Sequence, residues 1–211
     1  QRSEAVYADF SGSQYKVCGG AYGIDLMYSA HEGELASSFF GSEALTDNLD
    51  TPFIKLARIE KDLEDVQNQI YTIPVEGKFI GEVLLPPSAL GGVLNDILRN
   101  FASGAAVMDG TSPWKDMLGK QVANTCICVS LCPGGNDIVC GSVIGDEGFL
   151  NEDCDLIKDG VLKSFMMNRY MSNKTGFAPS GTTAMNLVVK SGETPLKSLV
   201  GGIKRGLWVG R

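Results

Sequence analysis

The sequence predicts an α+β fold, because strand patterns and helix patterns occupy different stretches of its 211 residues. Short runs of β-branched and aromatic residues, separated by glycines, indicate strands near the N-terminus. A one-sided apolar stripe after Pro86-Pro87 indicates a long amphipathic helix. The dipeptide Asp159-Gly160, flanked by apolar runs, indicates a tight β-hairpin. The chain therefore contains both kinds of element.

The N-terminal stretch predicts an antiparallel strand meander. Glycines separate three strand-like runs, which cover residues 14–17, 23–32 and 34–42. Residues 51–59 alternate apolar and polar side chains, and this alternation predicts a further strand.

A short helix is predicted next, over residues 60–70, with acidic residues in its first turn. Its apolar residues recur at helical spacing and would face a core: Leu63, Val66 and Ile70. Pro74 and Gly77 then interrupt the pattern. We therefore expect a domain boundary that separates residues 1–77 from residues 78–211.

The clearest helix of the chain follows a predicted strand at 78–86, and Ser88 has the position of its N-cap. Its apolar residues fall at i, i+3, i+4, i+7, i+8 and i+11: Leu90, Val93, Leu94, Ile97, Leu98 and Phe101. A stripe of this kind is typical of a core-facing helix.

The remaining elements are mostly predicted strands, over residues 121–131, 137–145, 185–192 and 207–211, with a hairpin at 156–165. Thr194-Pro195 opens a predicted helix that Gly206 ends, and its inward residues are Leu196, Leu199, Val200 and Ile203. The final strand has no evident partner. We expect a partner segment outside these residues, since an open edge is a liability.

Charge and composition exclude several classes of function. The net charge is −7 and the basic residues are scattered, so we expect no nucleic-acid partner. No apolar run approaches the roughly 18 residues of a membrane span, and we expect no membrane partner. The N-terminus has neither a starting Met nor a signal-peptide pattern, which predicts a part of a longer protein.

The six cysteines predict reduced thiols in a cytoplasmic protein. Cys126 and Cys128 alternate with Ile127 and Val129, so both would lie on one face of a strand as small buried side chains. The spacing of the cysteines lacks the closely paired ligands of structural zinc sites. We therefore expect no metal in this chain.

The single histidine limits the hydrolytic chemistry that the chain could perform. A zinc-peptidase helix needs two histidines one turn apart, but the residue four positions after His31 is Leu35. A Ser-His-Asp triad would also depend on His31, and nothing in its neighbourhood favours one.

A serine–lysine hydrolase of the penicillin-binding type is the alternative function. Ser112 and Lys115 have the S-x-x-K spacing, and Lys174-Thr175-Gly176 supplies the K-T-G triplet. The third element of that pattern, S-D-N, is absent.

An acidic stretch precedes the predicted hairpin, with six carboxylates between residues 145 and 159: Asp146, Glu147, Glu152, Asp153, Asp155 and Asp159. A calcium loop would require ligands and a glycine at a spacing that this stretch does not follow. General acid–base work would require one desolvated carboxylate, which a sequence does not reveal. A solvated turn and a contact surface both remain open.

Four ordered segments together resemble the TldD/PmbA family, whose members are described as modulators of DNA gyrase and as metallopeptidases. They begin with KFIGEVLLPPSAL at 78, GTSPWKDMLGK at 110, DEGFLNEDCDLIKDG at 146 and NLVVKSGETPLKS at 186. Residues 1–77 are similar to the preceding region of the family. The chain resembles the PmbA (TldE) side, because it lacks the HExxxH helix of the TldD side.

The resemblance implies a strand meander packed on helices, followed by a decorated β-barrel-like domain that is incomplete here. It implies a cytoplasmic dimer, formed with a TldD-like subunit or by self-association, that takes part in proteolysis of unfolded or small peptides. Zinc is then expected only in the TldD-like partner. The matching positions are candidates for peptide or partner binding, with no catalytic residue among them: Asp146, Glu147, Asn168, Arg169, Lys174 and Gly176.

Overall fold

The structure, a computed structural model, describes residues 2–10, 12–74, 77–135 and 138–209. The chain divides into two compact units, Gln1–Lys78 and Phe79–Arg211. Helices and strands occur in both units, which confirms the α+β class. No described helix is long and apolar enough to cross a membrane.

Three antiparallel strand pairs confirm the predicted meander of the first unit. Their bounds are Arg2–Ala8 (β1) with Gln14–Gly20 (β2), Tyr22–Tyr28 (β3) with Phe40–Thr46 (β6), and His31–Glu32 (β4) with Leu35–Ala36 (β5). Gly12 lies between β1 and β2 and Gly33 between β4 and β5, whereas Ala21 alone joins β2 to β3.

The predicted strand at 51–59 is wrong, because the chain there forms helix Phe53–Leu56 (α1) and enters helix Ile59–Asn68 (α2). Pro52 precedes α1 with φ −57, a value that favours the start of a helix. Phe53 is half-buried and Ala57 is 5% exposed, and these two residues are four positions apart, as on one face of a helix. The segment is so short that its apolar residues fit both the two-residue period of a strand and the 3.6-residue period of a helix.

The buried face of α2 is set by a polar contact with β6. Ser42 donates a hydrogen bond of 2.6 Å to the carboxylate of Asp62, and Tyr28 bonds to the same hydroxyl. Asp62 and Val66 are buried, whereas Leu63 is 43% exposed. The predicted inward face was therefore wrong at Leu63, because the paired carboxylate is turned toward the sheet.

The second unit contains four helices and six strands in its described part. In chain order these are Glu82–Leu84 (β7), Pro87–Phe101 (α3), Gly104–Met108 (α4), Val129–Leu131 (β8), Cys154–Lys158 (β9), Val161–Leu162 (β10), Arg169–Thr175 (α5), Leu187–Val189 (β11), Leu196–Gly202 (α6) and Gly206–Trp208 (β12). The main sheet is antiparallel and open, with strand order β10-β9-β8-β11. An open sheet agrees with the expected incomplete barrel.

Several predicted strands of this unit are shorter than expected, such as 78–86 and 185–192, of which only 82–84 and 187–189 form strands. Only the last three residues of 121–131 form a strand, and the described residues of 137–145 form none. Cys126 is exposed and Cys128 is half-buried outside β8, so the prediction of two buried strand cysteines is wrong. Turns anchored by hydrogen bonds, such as Ile127 N–H to Asn124 O, replace the strand pattern there.

The C-terminal elements also differ from expectation. The final strand is paired: β12 runs parallel to β7, with Gly206 opposite Glu82. Helix α6 is present, but Leu196, Leu199 and Val200 are 52%, 44% and 38% exposed, and the helix ends before Gly206. The predicted inward face of α6 is therefore wrong in this structure.

Helix α3 confirms the predicted long amphipathic helix, but the prediction of Ser88 as its N-cap is wrong. The N-cap is Pro86, with Pro87 at the first helical position, and Ser88 makes no capping bond. Leu98 is 1% exposed, whereas Val93 and Ile97 are 41% and 36% exposed, so only part of the stripe is core.

One apolar core lies between the main sheet and the helices α3 and α4. Its members are Leu98, Ala102, Val107, Val129, Leu131, Cys154, Leu156, Ile157, Leu162, Phe165 and Met167. Cys154 is 8% exposed in this core, and its burial raises the pKa of its thiol. The buried residues of β9 are Cys154, Leu156 and Ile157, whereas Asp155 and Lys158 stay exposed.

The predicted type I′ turn is confirmed, because Asp159 has φ 50 and Gly160 has φ 74. The N–H groups of Val122 and Ala123 both donate to the carbonyl of Gly160. The N–H of Gly160 donates to Ile127 O over 2.9 Å. The segment 121–128 therefore holds the tip of the hairpin closely, and we call this arrangement the hairpin clamp.

We predict that Gly160→Ala destabilises the second unit by about 1–3 kcal/mol beyond the cost of the left-handed backbone itself. An alanine Cβ would lie 2.6 Å from Asn124 O and closer still to Ala123 O. Gly110→Ala is the matched control, because Gly110 has the same φ of 74 and open space around it. Equal denaturant midpoints for the two variants would contradict the hairpin clamp.

Candidate functional site

The acidic stretch begins with a compact turn, residues 145–150, which we call the acidic turn. Gly145 N–H donates to Phe149 O over 2.8 Å, and Gly148 N–H donates to Gly145 O over 2.9 Å. The N–H of Asp146 donates to the Thr183 hydroxyl over 3.0 Å. These bonds define the backbone of the acidic turn and leave the side chains of Asp146 and Glu147 exposed.

Asn151 fixes the base of the acidic turn. Its side-chain oxygen accepts the Thr183 N–H over 2.9 Å, and its side-chain nitrogen donates to Ser142 O over 2.6 Å. Ser180 is buried and bonds to Met167 O and Thr182 O. Sequence reasoning missed these residues, although the polar run SGTT at 180–183 is the type of segment that bonds to nearby backbone.

Helix α5 lies beside the acidic turn and contains several of the predicted site residues. The Asn168 side chain accepts the Met171 N–H over 2.8 Å, as an N-cap does. Both carboxylate oxygens of Glu147 accept the Arg169 N–H, at 3.1 and 3.3 Å. Gly176 ends the helix with φ 79. Glu147 and Asn168 thus share the capping of one helix end.

The structure therefore separates the predicted binding candidates into two groups. Glu147, Asn168 and Gly176 have visible roles in the local fold, which does not test a further role in binding. Asp146, Arg169 and Lys174 are exposed, and the Lys174 ammonium lies 5.8 Å from the centre of the Tyr170 ring. The exposed side chains of α5 and the acidic turn form a surface of mixed charge.

Asp155, another acid of the stretch, has a different role from the residues of this surface. Asp155 on β9 accepts hydrogen bonds from Ser130, at 2.7 Å, and from Lys158, at 3.0 Å. The Ser130 bond first, and then the Lys158 bond, lowers the pKa of Asp155. A carboxylate with a lowered pKa is a poor general acid near neutral pH, so Asp155 does not fit the acid–base interpretation.

The donor groups of the described residues do not fit a zinc ion. In the ranges that the structure describes, no three side chains of His, Cys, Asp or Glu come together at metal-binding distance. The imidazole of His31 bonds to the Ser29 hydroxyl over 3.0 Å. The Cys128 thiol instead contacts Asp159, with the Asp159 N–H 3.3 Å from its sulfur. We derive no chemical step through zinc for these residues.

The serine–lysine alternative is not favoured by the geometry around Ser112. The hydroxyl of Ser112 is buried, donates to Phe101 O and accepts the Trp114 N–H over 3.0 Å. Lys115 lies in a turn, whereas the pattern requires it on the same helix as the serine. The K-T-G triplet ends helix α5, where a strand would be required.

Comparisons with known proteins relate the chain to peptidases. Residues 77–211 match the family described as PmbA/TldA metallopeptidase C-terminal domain. The chain is 23% identical over 209 residues to a zinc metalloprotease TldD homolog of Saccharolobus solfataricus, covering 90% of this chain and 46% of that protein. It is 23% identical over 219 residues to a metalloprotease of Methanothermobacter thermautotrophicus, covering 97% of this chain and 42% of that protein.

The fold is similar to that of TldE from Thermococcus kodakarensis, known from a crystal structure. The TM-score is 0.78 at 19% identity, over 95% of this chain and 47% of that one. The chain therefore spans about half the length of the relatives that it matches.

We predict that Glu147→Ala lowers the free energy of unfolding by about 0.5–1 kcal/mol, because a carboxylate near a helix N-terminus stabilises the helix. Asp146→Ala, one residue away, should stay within about 0.5 kcal/mol of the parent chain, because its side chain is exposed. Denaturant titration of both variants measures the difference. Equal losses of unfolding free energy in the two variants would contradict the capping role of Glu147.

We predict that Ser112→Ala costs about 1–3 kcal/mol of stability, because it leaves the Phe101 carbonyl and the Trp114 N–H without their shared partner. Ser88→Ala is the control and should change stability by less than about 0.5 kcal/mol, since Ser88 caps nothing. The parent chain should also resist a fluorophosphonate probe. Covalent labelling at Ser112 would revive the serine–lysine hydrolase.

Proposed function

The chain belongs to the PmbA/TldD metallopeptidase family, and on that premise we propose that it is a TldE-like, non-catalytic component of a peptidase complex. The observation that carries the proposal is the family match over residues 77–211. The structural likeness to TldE supports the choice of side within the family. The complex would act in the cytoplasm on unfolded or small peptides.

The amino-acid content of these residues supports a metal site outside them. These 211 residues contain one histidine, so they do not themselves provide the two imidazoles of an HExxxH motif. His31 also lies in the first unit, on the short strand β4, and not on a helix. Zinc chemistry is therefore proposed for a TldD-like subunit. The Saccharolobus relative is itself named a zinc metalloprotease.

The mixed-charge surface of the second unit is the proposed contact region for this partner or for a peptide. It combines Asp146, which extends from the acidic turn, with Arg169, Tyr170 and Lys174 on helix α5. Glu147 accepts the Arg169 N–H, and this bond holds the acidic turn beside the basic groups of α5. Such pre-organisation reduces the entropy lost on binding.

The experiment is a binding titration of the chain with a separately purified TldD-like subunit, at low and at high salt. We predict that Asp146→Asn weakens association about two- to fivefold at low salt, and that the effect fades near 1 M salt. Asp116→Asn, which removes an exposed acid from another turn of the same unit, is the control. Failure of the parent chain to associate at any salt concentration would contradict the proposed role.

A further inference from the structure

The first unit contains an open cleft of about 460 Å³ that no role described so far uses. Its lining residues are Arg2, Cys18, Gly19, Gly20, Ala21, Tyr22 and Asp47. The volume lies within the roughly 300–1,000 Å³ of small-molecule sites. All seven residues belong to the same compact unit.

Strand pairing builds the cleft. Strand β2 passes into β3 through Ala21 alone, so one extended segment pairs with β1 over its first half and with β6 over its second half. Arg2 stands opposite Gly20 on the first pair. Tyr22 stands opposite Thr46 on the second pair, which brings Asp47, the next residue, to the same place. The two strand pairs thus bring a cation and an anion to one opening.

The floor and wall of the cleft are suited to a small occupant. Gly19 and Gly20 line the cleft without side chains. The backbone is therefore accessible to a ligand at this point. The Tyr22 side chain is 49% exposed, so its ring offers an apolar wall with a polar tip.

The two charged residues of the cleft, Arg2 and Asp47, have unused capacity for ion pairs and hydrogen bonds. Among the described residues, neither Arg2 nor Asp47 forms an ion pair. One carboxylate oxygen of Asp47 accepts the Asn48 side-chain N–H over 2.7 Å, and the other has no hydrogen bond within the described ranges. A guanidinium can hold a carboxylate with two hydrogen bonds, and a carboxylate can hold an ammonium group.

We propose that this cleft binds a short peptide with both termini free. Arg2 would hold the terminal carboxylate, Asp47 the terminal ammonium group, and Tyr22 would contact a side chain between them. A simple anion fits less well, because Asp47 would repel it. The choice of a peptide as the occupant rests on the proposed function, since short peptides are both substrates and products of a peptidase.

The test uses the 211-residue chain alone, with trialanine, N-acetyl-trialanine and trialanine amide as probes in calorimetric or NMR titrations. Trialanine should bind in the millimolar range, as expected for a small ligand in an open cleft. Blocking either terminus should weaken binding about two- to fivefold, the size of an exposed charge pair. Tyr22→Ala should weaken the binding of all three peptides.

Two variants assign each terminus to its residue. Arg2→Gln should abolish the difference between trialanine and its amide, while Asp47→Asn should abolish the difference between trialanine and its N-acetyl form. Arg99→Gln and Asp50→Asn remove the same charges at exposed positions away from the lining residues, and both differences should persist in these controls.

Equal affinity of the free and blocked peptides, or no saturable binding at millimolar concentration, would overturn the cleft proposal. Loss of the terminus effects in the control variants as well would also overturn it, because the effect would then be one of net charge. These outcomes are separate from the association experiment with a TldD-like subunit. Either proposal can therefore fail while the other stands.

Discussion

The second unit depends on the hairpin clamp around Asp159 and Gly160. Both residues have positive φ, and the carbonyl of Gly160 accepts two N–H groups from the segment before β8. This fixes the register of β9 against β10 and so determines which side chains of β9 are buried. A shift by one residue would exchange Leu156 for Asp155 in the core. The type I′ turn therefore determines the position of the apolar core and of the acids.

The candidate site follows from that register. The chain leaves β10 through Phe165 and Met167, which are both buried, and reaches Asn168, the N-cap of α5, one residue later. Gly104 allows a close approach here, because its N–H bonds to Met166 O over 2.9 Å and a Cβ would clash with that carbonyl. Helix α5 is thus held from the core side. Glu147 attaches the acidic turn to its other side, so contact and folding roles meet at one helix end.

Buried polar side chains have different roles in the two units. In the first unit, a hydrogen-bonded row of Tyr28, Ser42 and Asp62 connects the β3–β6 pair to α2, and few apolar side chains are fully buried. In the second unit, a continuous apolar cluster carries the packing, and buried hydroxyls such as Ser180 and Ser112 bond to backbone carbonyls. The first unit therefore derives its specificity from polar pairing and the second from apolar packing.

The sequence by itself determined the elements whose signals are local. The Asp159-Gly160 turn, helix α3 and the glycine-punctuated meander depend on neighbouring residues, so the sequence was sufficient to predict them. The family resemblance, which depends on ordered motifs, is confirmed for the same reason. The tertiary structure alone decided that Asp62 is turned inward and that Glu147 caps a helix 22 residues away. Such choices arise from contacts between distant segments, and neither periodicity nor residue type encodes which partner a polar group will meet.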